Sequence, residues 1–204
     1  MELGTETEAK IIQAATEVFL EKGKDGARMQ EIAGRANINK ALLHYYFRSK
    51  DKLYEKVFRE KVFRFLDELF SSVPQTDDIK IVLKEFTANY IDLISSHPEL
   101  VRFILWEIRR GGQYMSDALR DIFAKHGFTK FPFLEKVQNA ISEGTIRPLD
   151  PLHLIISVIG ICVYPFIAQP LLENAIPGIQ ISSEGFLQKR KEEVFNLIWE
   201  GIQP

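Results

Sequence analysis

Three features of this sequence predict an all-α protein. Apolar residues recur at three- and four-residue spacing over most of the chain, the period of a helix with one buried face. Turn-forming residues at Gly23, Pro74, Pro98, Gly111-Gly112 and Pro132 leave helix-length segments between them. No run alternates apolar with polar residues as a half-buried strand does, and there is no internal repeat or low-complexity stretch. At 204 residues, 46% hydrophobic and 26% charged, the chain can bury a sizeable core as one or two domains.

The acidic N-terminal MELGTETEAK has no apolar core, so no signal peptide is expected. The first helix is expected to begin near Thr5, where Thr5 with Glu8, or Thr7, supplies capping oxygens. Ile11, Ala15, Val18 and Phe19 recur at helical spacing, Lys22-Gly23 offers a basic last turn and a C-cap, and Lys24-Asp25-Gly26 leads onward. Arg28 to Leu53 then reads as two short helices across a tight turn, followed at once by a longer one. Ile32, Ala33 and Ala36 form a narrow apolar face of small residues that lets another helix approach closely. Asn37-Ile38-Asn39 is the turn: Asn tolerates the left-handed conformation, and Asn39 stands where its side chain can cap the next helix. In that helix Leu43 and Phe47 point inward, leaving Lys40, Ala41, His44 and Tyr45 outward.

Such an outward face, ending in Arg48-Ser49-Lys50, suits a polyanion. Tyrosine donates to phosphate oxygens, and Lys or Arg neutralises them. Between residues 35 and 64 nine Lys/Arg stand against three acids, a net of +6, whereas the remaining 17 basic and 25 acidic residues net −8. A cationic segment on an anionic body is the asymmetry of a nucleic-acid footprint. Ala41, Leu42 and Tyr45 can touch a thymine methyl, and Lys40 and Gln30 can hydrogen-bond base edges. His44, Tyr46 and Lys50 are placed for phosphates, and Arg28 and Asn39 complete the candidate set. One short recognition helix reads only a few base pairs, so a homodimer on a palindromic double-stranded operator is expected.

Ile32-Ala33, Ala36-Asn37-Ile38-Asn39, Leu43-His44-Tyr45-Tyr46-Phe47 and Lys50-Asp51-Lys52-Leu53 resemble the helix-turn-helix signature of the TetR (tetracycline-repressor-like) transcriptional regulators. The resemblance covers about the first quarter of the chain. It departs from the family pattern at three positions. Arg28 stands where the family usually has a capping Thr, Asn37 replaces the usual turn glycine, and His44 replaces a common tyrosine. The resemblance implies a three-helix DNA-binding domain over residues 1–50 and a larger helical effector-binding and dimerisation domain over 51–204. It also implies a ligand that shifts a connecting helix, changes the separation of two recognition helices and releases the operator.

The rest of the chain keeps the helical period. Asp51 to about Ser72 is expected as one long helix with Leu53, Val57, Val62, Leu66, Leu69 and Phe70 inward, running from the basic segment to the turn at Val73-Pro74, a natural lever. Asp77 to Ser96 follows, with Ile81, Val82, Phe86, Tyr90, Leu93 and Ile94 as its apolar set. Pro98 can open a helix over Glu99 to Arg110, and others are expected over Ser116 to His126, Pro132 to Glu143, Pro151 to about Glu173, and Glu184 to Gly201. Leu152 to Leu172 holds no Lys, Arg, Asp or Glu and is long enough to span a bilayer. Pro165, Pro170 and the polar His153, Ser157 and Gln169 favour a helix buried between protein helices instead, so no membrane partner is expected. By the family resemblance, Leu152 to Leu172 and Glu184 to Trp199 pair with the same helices of a second copy. Leu154, Val158, Ile161 and Phe166 on the first, and Phe186, Val194, Phe195 and Ile198 on the second, are the candidate interface.

The middle of the chain is rich in aromatics. Phe86, Tyr90, Phe103, Trp106, Tyr114 and Phe123, with Glu107 and His126 as orienting groups, are candidates to bind an unidentified small effector. The four histidines have no metal-ligand spacing, Gly111-Gly112 is not a phosphate loop, and no nucleophile motif is present, so no metal, cofactor or catalytic residue is expected. The single Cys162 excludes an internal disulfide and suits a cytoplasmic protein. The competing classes are a helical module that binds a protein or membrane partner and a helical enzyme without a recognisable motif.

Overall fold

A computed structural model describes residues 2–128 and 131–204. Among them are eleven α-helices and no strand: α1 (Glu2–Gly26), α2 (Met29–Arg35), α3 (Lys40–Tyr46), α4 (Lys50–Ser71), α5 (Ile79–Ser96), α6 (Pro98–Arg109), α7 (Gln113–His126), α8 (Pro132–Ser142), α9 (Pro151–Ile167), α10 (Gln169–Ala175) and α11 (Glu184–Ile202). They divide into two compact units, Met1–Arg64 with Glu99–Asp121, and Phe65–Pro98 with Ile122–Pro204.

In the first unit α1 begins at Glu2, ahead of the expected Thr5, whose side chain lies outside the described residues. Ile11, Ala15, Val18 and Phe19 are fully buried. Helical geometry fails at Gly23 (φ 66°, ψ 177°), where the C-cap was expected, and one further turn runs to Gly26. Gly23 is required there twice over. Its φ is left-handed, and a Cβ would stand 3.0 Å from the Trp106 indole. The buried face of α4 is wider than the spacing suggests. Beside Leu53, Val57 and Val62 it includes Tyr54 and Phe58, both fully buried, with Tyr54 edge-on to Phe19 at 5.1 Å and Phe58 5.1 Å from Phe103.

In the second unit α5 packs against α8, α9 and α11. It starts at Ile79 because the Asp78 carboxylate accepts from the Lys80 and Ile81 amides at 2.9 and 3.3 Å, a side-chain N-cap. Val82, Phe86, Tyr90, Leu93 and Ile94 are buried as expected. Ile81 is not: it lies 43% exposed, because the inward stripe centres on Ile79, Val82, Leu83 and Phe86.

The helix expected over Pro151 to Glu173 is two helices. It breaks at Ala168, and α9 and α10 meet at 59°. Pro170, at the start of α10, has no N–H for the carbonyl of Phe166, and its ring would collide there in a continuing helix. No single helix among the described residues is long and apolar enough to cross a membrane, although this bent pair passes by length and composition. Nor is the segment buried all round. Leu152, Ile156, Tyr164, Ile167 and Leu171 are 42–64% exposed, whereas Ile155, Val158, Cys162 and Phe166 face the core. Burial pushes the Cys162 thiol up to about 12.

Pro165 sits inside α9 and cannot donate to the Ile161 carbonyl one turn earlier. Arg190 of α11 replaces the missing donor, its guanidinium donating to Ile161 O at 2.7 Å. Arg190→Met therefore leaves an unpaired carbonyl and should cost about 1–3 kcal/mol. In a Pro165→Ala background the backbone N–H returns and that cost should shrink. Urea unfolding of the four proteins measures both, and equal costs in the two backgrounds would refute the account.

Candidate nucleic-acid interface

The turn between α2 and α3 is built from two asparagines doing different work. The Ile38 amide donates to Ala33 O at 3.0 Å and the Asn37 amide to Gly34 O at 3.1 Å, which closes the end of α2 around Asn37 in the left-handed region (φ 54°). Asn39 Oδ1 then accepts from the Leu42 amide at 2.8 Å and opens α3. Ile32, Ala33 and Ala36 are buried beneath, as are Leu43 and Phe47. Ser49 caps the next helix, accepting from the Lys52 amide at 3.2 Å. Arg28, by contrast, gives α2 no side-chain cap.

With Leu43 and Phe47 spent on the core, α3 presents Lys40, Ala41, Leu42, His44 and Tyr45 outward, all exposed. Tyr45 is 81% exposed, an unusual position for so large an apolar surface, and its ring stands edge-on to Tyr46 at 5.5 Å. Arg28, Gln30 and Asn39 are exposed and Tyr46 is half-buried. Lys50 is half-buried too, its ammonium donating to the Ala27 carbonyl at 3.1 Å.

The positive charge of residues 35–64 is less free than the count implies. Arg35 is bidentate to Glu21 at 2.7 Å and also reaches Glu31 at 2.9 Å, while Lys22 holds Glu31 at 2.7 Å. Arg35 holds the Glu21 carboxyl below its ordinary range, and Lys22 followed by Arg35 does the same for Glu31. This network ties α1 to α2. Lys52 pairs with Glu55, Lys56 with Glu60 and Arg59 with Asp121. Among the described residues Lys40, Arg48, Lys50, Lys61 and Arg64 carry no ion pair; with Lys50 held by the Ala27 carbonyl, Lys40 and Arg48 are the cations at the recognition helix without a carboxylate partner. Arg48 was outside the candidate set, although its place between Phe47 and the cap of α4 marks it.

The eight candidate effector residues fall into three groups. Phe103, Trp106, Glu107 and Tyr114 belong to the first unit, where Trp106 packs on Gly23 and Glu107 accepts from the Tyr114 amide at 3.0 Å. In the second unit Phe86 stacks with Tyr90 and meets Phe133 at 5.6 Å. Phe123 joins Phe70, Phe128 and Phe131, and there His126 stacks on Phe128 and lies 2.8 Å from Asp67. Lys125 and His126 together hold the Asp67 carboxyl below its ordinary range.

Of the candidate dimer residues, Val158, Phe166, Val194 and Ile198 are buried within this chain. Leu154, Ile161, Phe186 and Phe195 are half-buried. The apolar residues that these helices do expose are Leu152, Ile156, Tyr164, Ile167 and Leu171 on α9 and α10, and Leu197 on α11.

Two family models match this chain. Residues 11–57 match the one described as bacterial regulatory proteins, tetR family, and residues 82–198 the tetracyclin repressor-like C-terminal domain. The HTH-type transcriptional regulator RutR of Escherichia coli K12 is 28% identical over 197 residues, covering 95% of this chain and 89% of that protein. Among solved structures, FadR from Bacillus subtilis in complex with stearoyl-CoA is similar at a TM-score of 0.69 and 18% identity, covering 96% of this chain and 100% of that one. AibR in complex with isovaleryl coenzyme A and operator DNA is similar at 0.70 and 19% identity, with 94% and 97% covered. At these identities the structural likeness concerns the fold.

Asn39→Ala removes the cap of α3 and should cost about 1 kcal/mol, while Asn39→Ser keeps an accepting oxygen and most of the stability. Thermal melts of both variants check this; equal losses would show that Asn39 stabilises the turn in another way.

Proposed function

Because the chain belongs to the TetR family of bacterial transcriptional regulators, we propose that it is a repressor that binds a palindromic operator as a homodimer and is released by a small apolar or aromatic effector. The observation that carries this reading is α3, a capped helix that buries Leu43 and Phe47 and turns Lys40, Ala41, Leu42, His44 and Tyr45 to solvent. Residues 1–50 serve as the DNA-binding domain and 51–204 as the effector-binding and dimerisation domain. Lys40, Ala41, Leu42, Tyr45 and Gln30 read the major groove. Arg28, Asn39, His44, Tyr46 and Lys50 grip the phosphates, with Arg48 added for its unpaired charge. The reading makes the protein a cytoplasmic regulator and not an enzyme. FadR and AibR, each in complex with an acyl-CoA, lend support to a ligand-responsive reading.

The dimer forms through the apolar residues that α9, α10 and α11 leave exposed. Ile156 of α9 and Leu197 of α11 are 57% and 64% exposed. Burying such side chains contributes about 1.5–3 kcal/mol each, enough to decide an association.

Selection of binding sites from a random duplex pool at two salt concentrations tests the function directly. A palindrome whose binding weakens steeply with salt is expected, and no enrichment by protein freed of bound ligand would overturn the reading. Lys50→Ala should weaken all operators alike and flatten the salt dependence, whereas Lys40→Ala should also change which operator wins. Ile156→Glu with Leu197→Glu should yield folded monomers in sedimentation, with operator affinity reduced at least about a hundredfold.

A further inference from the structure

Lys24 is a buried charge at a position where packing alone does not call for one. It is 9% exposed and stands in the last turn of α1, just beyond the break at Gly23. Its ammonium lies 5.2 and 5.5 Å from the ring centroids of Tyr54 and Tyr114. Those rings are themselves anchored. Tyr54 is fully buried, edge-on to Phe19 at 5.1 Å and to Phe103 at 5.3 Å, and the Tyr114 amide donates to Glu107 Oε1 at 3.0 Å. An ammonium is attracted to an aromatic face, so the two rings hold the end of the side chain in one place. A methionine of similar length would cover the same rings without the cost of burying a charge. What the charge adds is direction.

The direction is towards α4. Among the described residues Lys24 has one ion pair, with Asp51 at 2.7 Å, and Asp51 is in the first turn of α4. Lys24 holds the Asp51 carboxyl below its ordinary range. Asp25, next to Lys24 in the chain, is held by Arg110 at 2.6 Å. Lys50 reaches back as well, donating to the Ala27 carbonyl at 3.1 Å. Two successive residues of α4 are thereby fastened to Lys24 and Ala27, at the end of α1. Only Phe47, Arg48 and Ser49 separate this first turn from α3. The start of α3 is set by Asn39; its exit is set by where α4 begins.

We propose that Lys24 is a positioning residue for operator binding. It touches no DNA; through Asp51 it fixes the first turn of α4 against the end of α1, and so sets where the exit of α3 and Arg48 meet the duplex. The proposal rests on α3 being the recognition helix.

Lys24→Met and Asp51→Asn, singly and together, test it by fluorescence anisotropy on the operator recovered from the duplex selection. Each single variant should bind about tenfold more weakly and the double variant no more weakly than either, the coupling expected of two residues in direct contact. The slope of affinity on salt should stay that of the wild type, because no phosphate contact is lost. Lys24→Met leaves Asp51, its side chain 67% exposed, in water, so its melting temperature should not fall. Additive losses in the double variant, a shallower salt slope, or a loss of affinity that only follows a loss of stability would each overturn the proposal. If circular dichroism shows Asp51→Asn to be unfolded, Lys24→Met decides alone. Amide exchange read by NMR without DNA separates the proposal from the reading beneath it. The amides of Lys52 and Leu53, which donate to Ser49, should exchange about tenfold faster in Lys24→Met. Unchanged exchange there would refute the role of Lys24 whatever the DNA result. A wild type that selects no operator would refute the repressor reading instead, and the exchange result then decides whether Lys24 fixes α4.

Discussion

Helix ends are the constraint on which this architecture depends. The eleven helices among the described residues leave many terminal amides and carbonyls without intrahelical partners, and each buried one must be met. Asn37 and Asn39 meet them between α2 and α3, Ser49 before α4, Asp78 before α5, Asp150 before α9 and Ser183 before α11. Where Pro165 removes a donor inside a helix, Arg190 crosses from another helix to replace it. The outward face of α3 exists because its start is set by Asn39 and its inward residues are taken by the core.

The same residues divide into those that hold the recognition helix and those left free to act. Arg35, with Glu21, Glu31 and Lys22, fastens α2 to α1. Exposed ion pairs contribute little stability individually, but a four-member network fixes orientation. Charge that a simple count would assign to a polyanion is in this way partly spent inside the protein.

Helices with a polar side were legible in the sequence, because their apolar residues mark the inward direction. Leu43, Phe47 and the inward set of α5 followed from spacing, and the turn and the start of α6 from the chemistry of Asn37, Asn39 and Pro98. α9 was not legible in the same way. Apolar nearly all round, it has no preferred side in its sequence, so Val158 and Phe166 could not be told from Ile156 and Tyr164 until its packing on α5 and α8 chose between them. The break at Ala168 depends on which of two nearby prolines ends the helix. Pro165 is tolerated because Arg190, 29 residues beyond the Ile161 carbonyl it meets, supplies a donor, and no local pattern reveals that. The burial of Tyr54 and Phe58 had a local signal in their four-residue spacing, passed over in favour of the aliphatic residues beside them.

Trp106 rests on Gly23 so closely that any other residue at 23 would need both a left-handed backbone and space that the indole occupies. The dependence between these positions, 83 apart in sequence, runs one way. A chain that places a side chain at 23 must also make room at 106, whereas a smaller residue at 106 leaves Gly23 undisturbed.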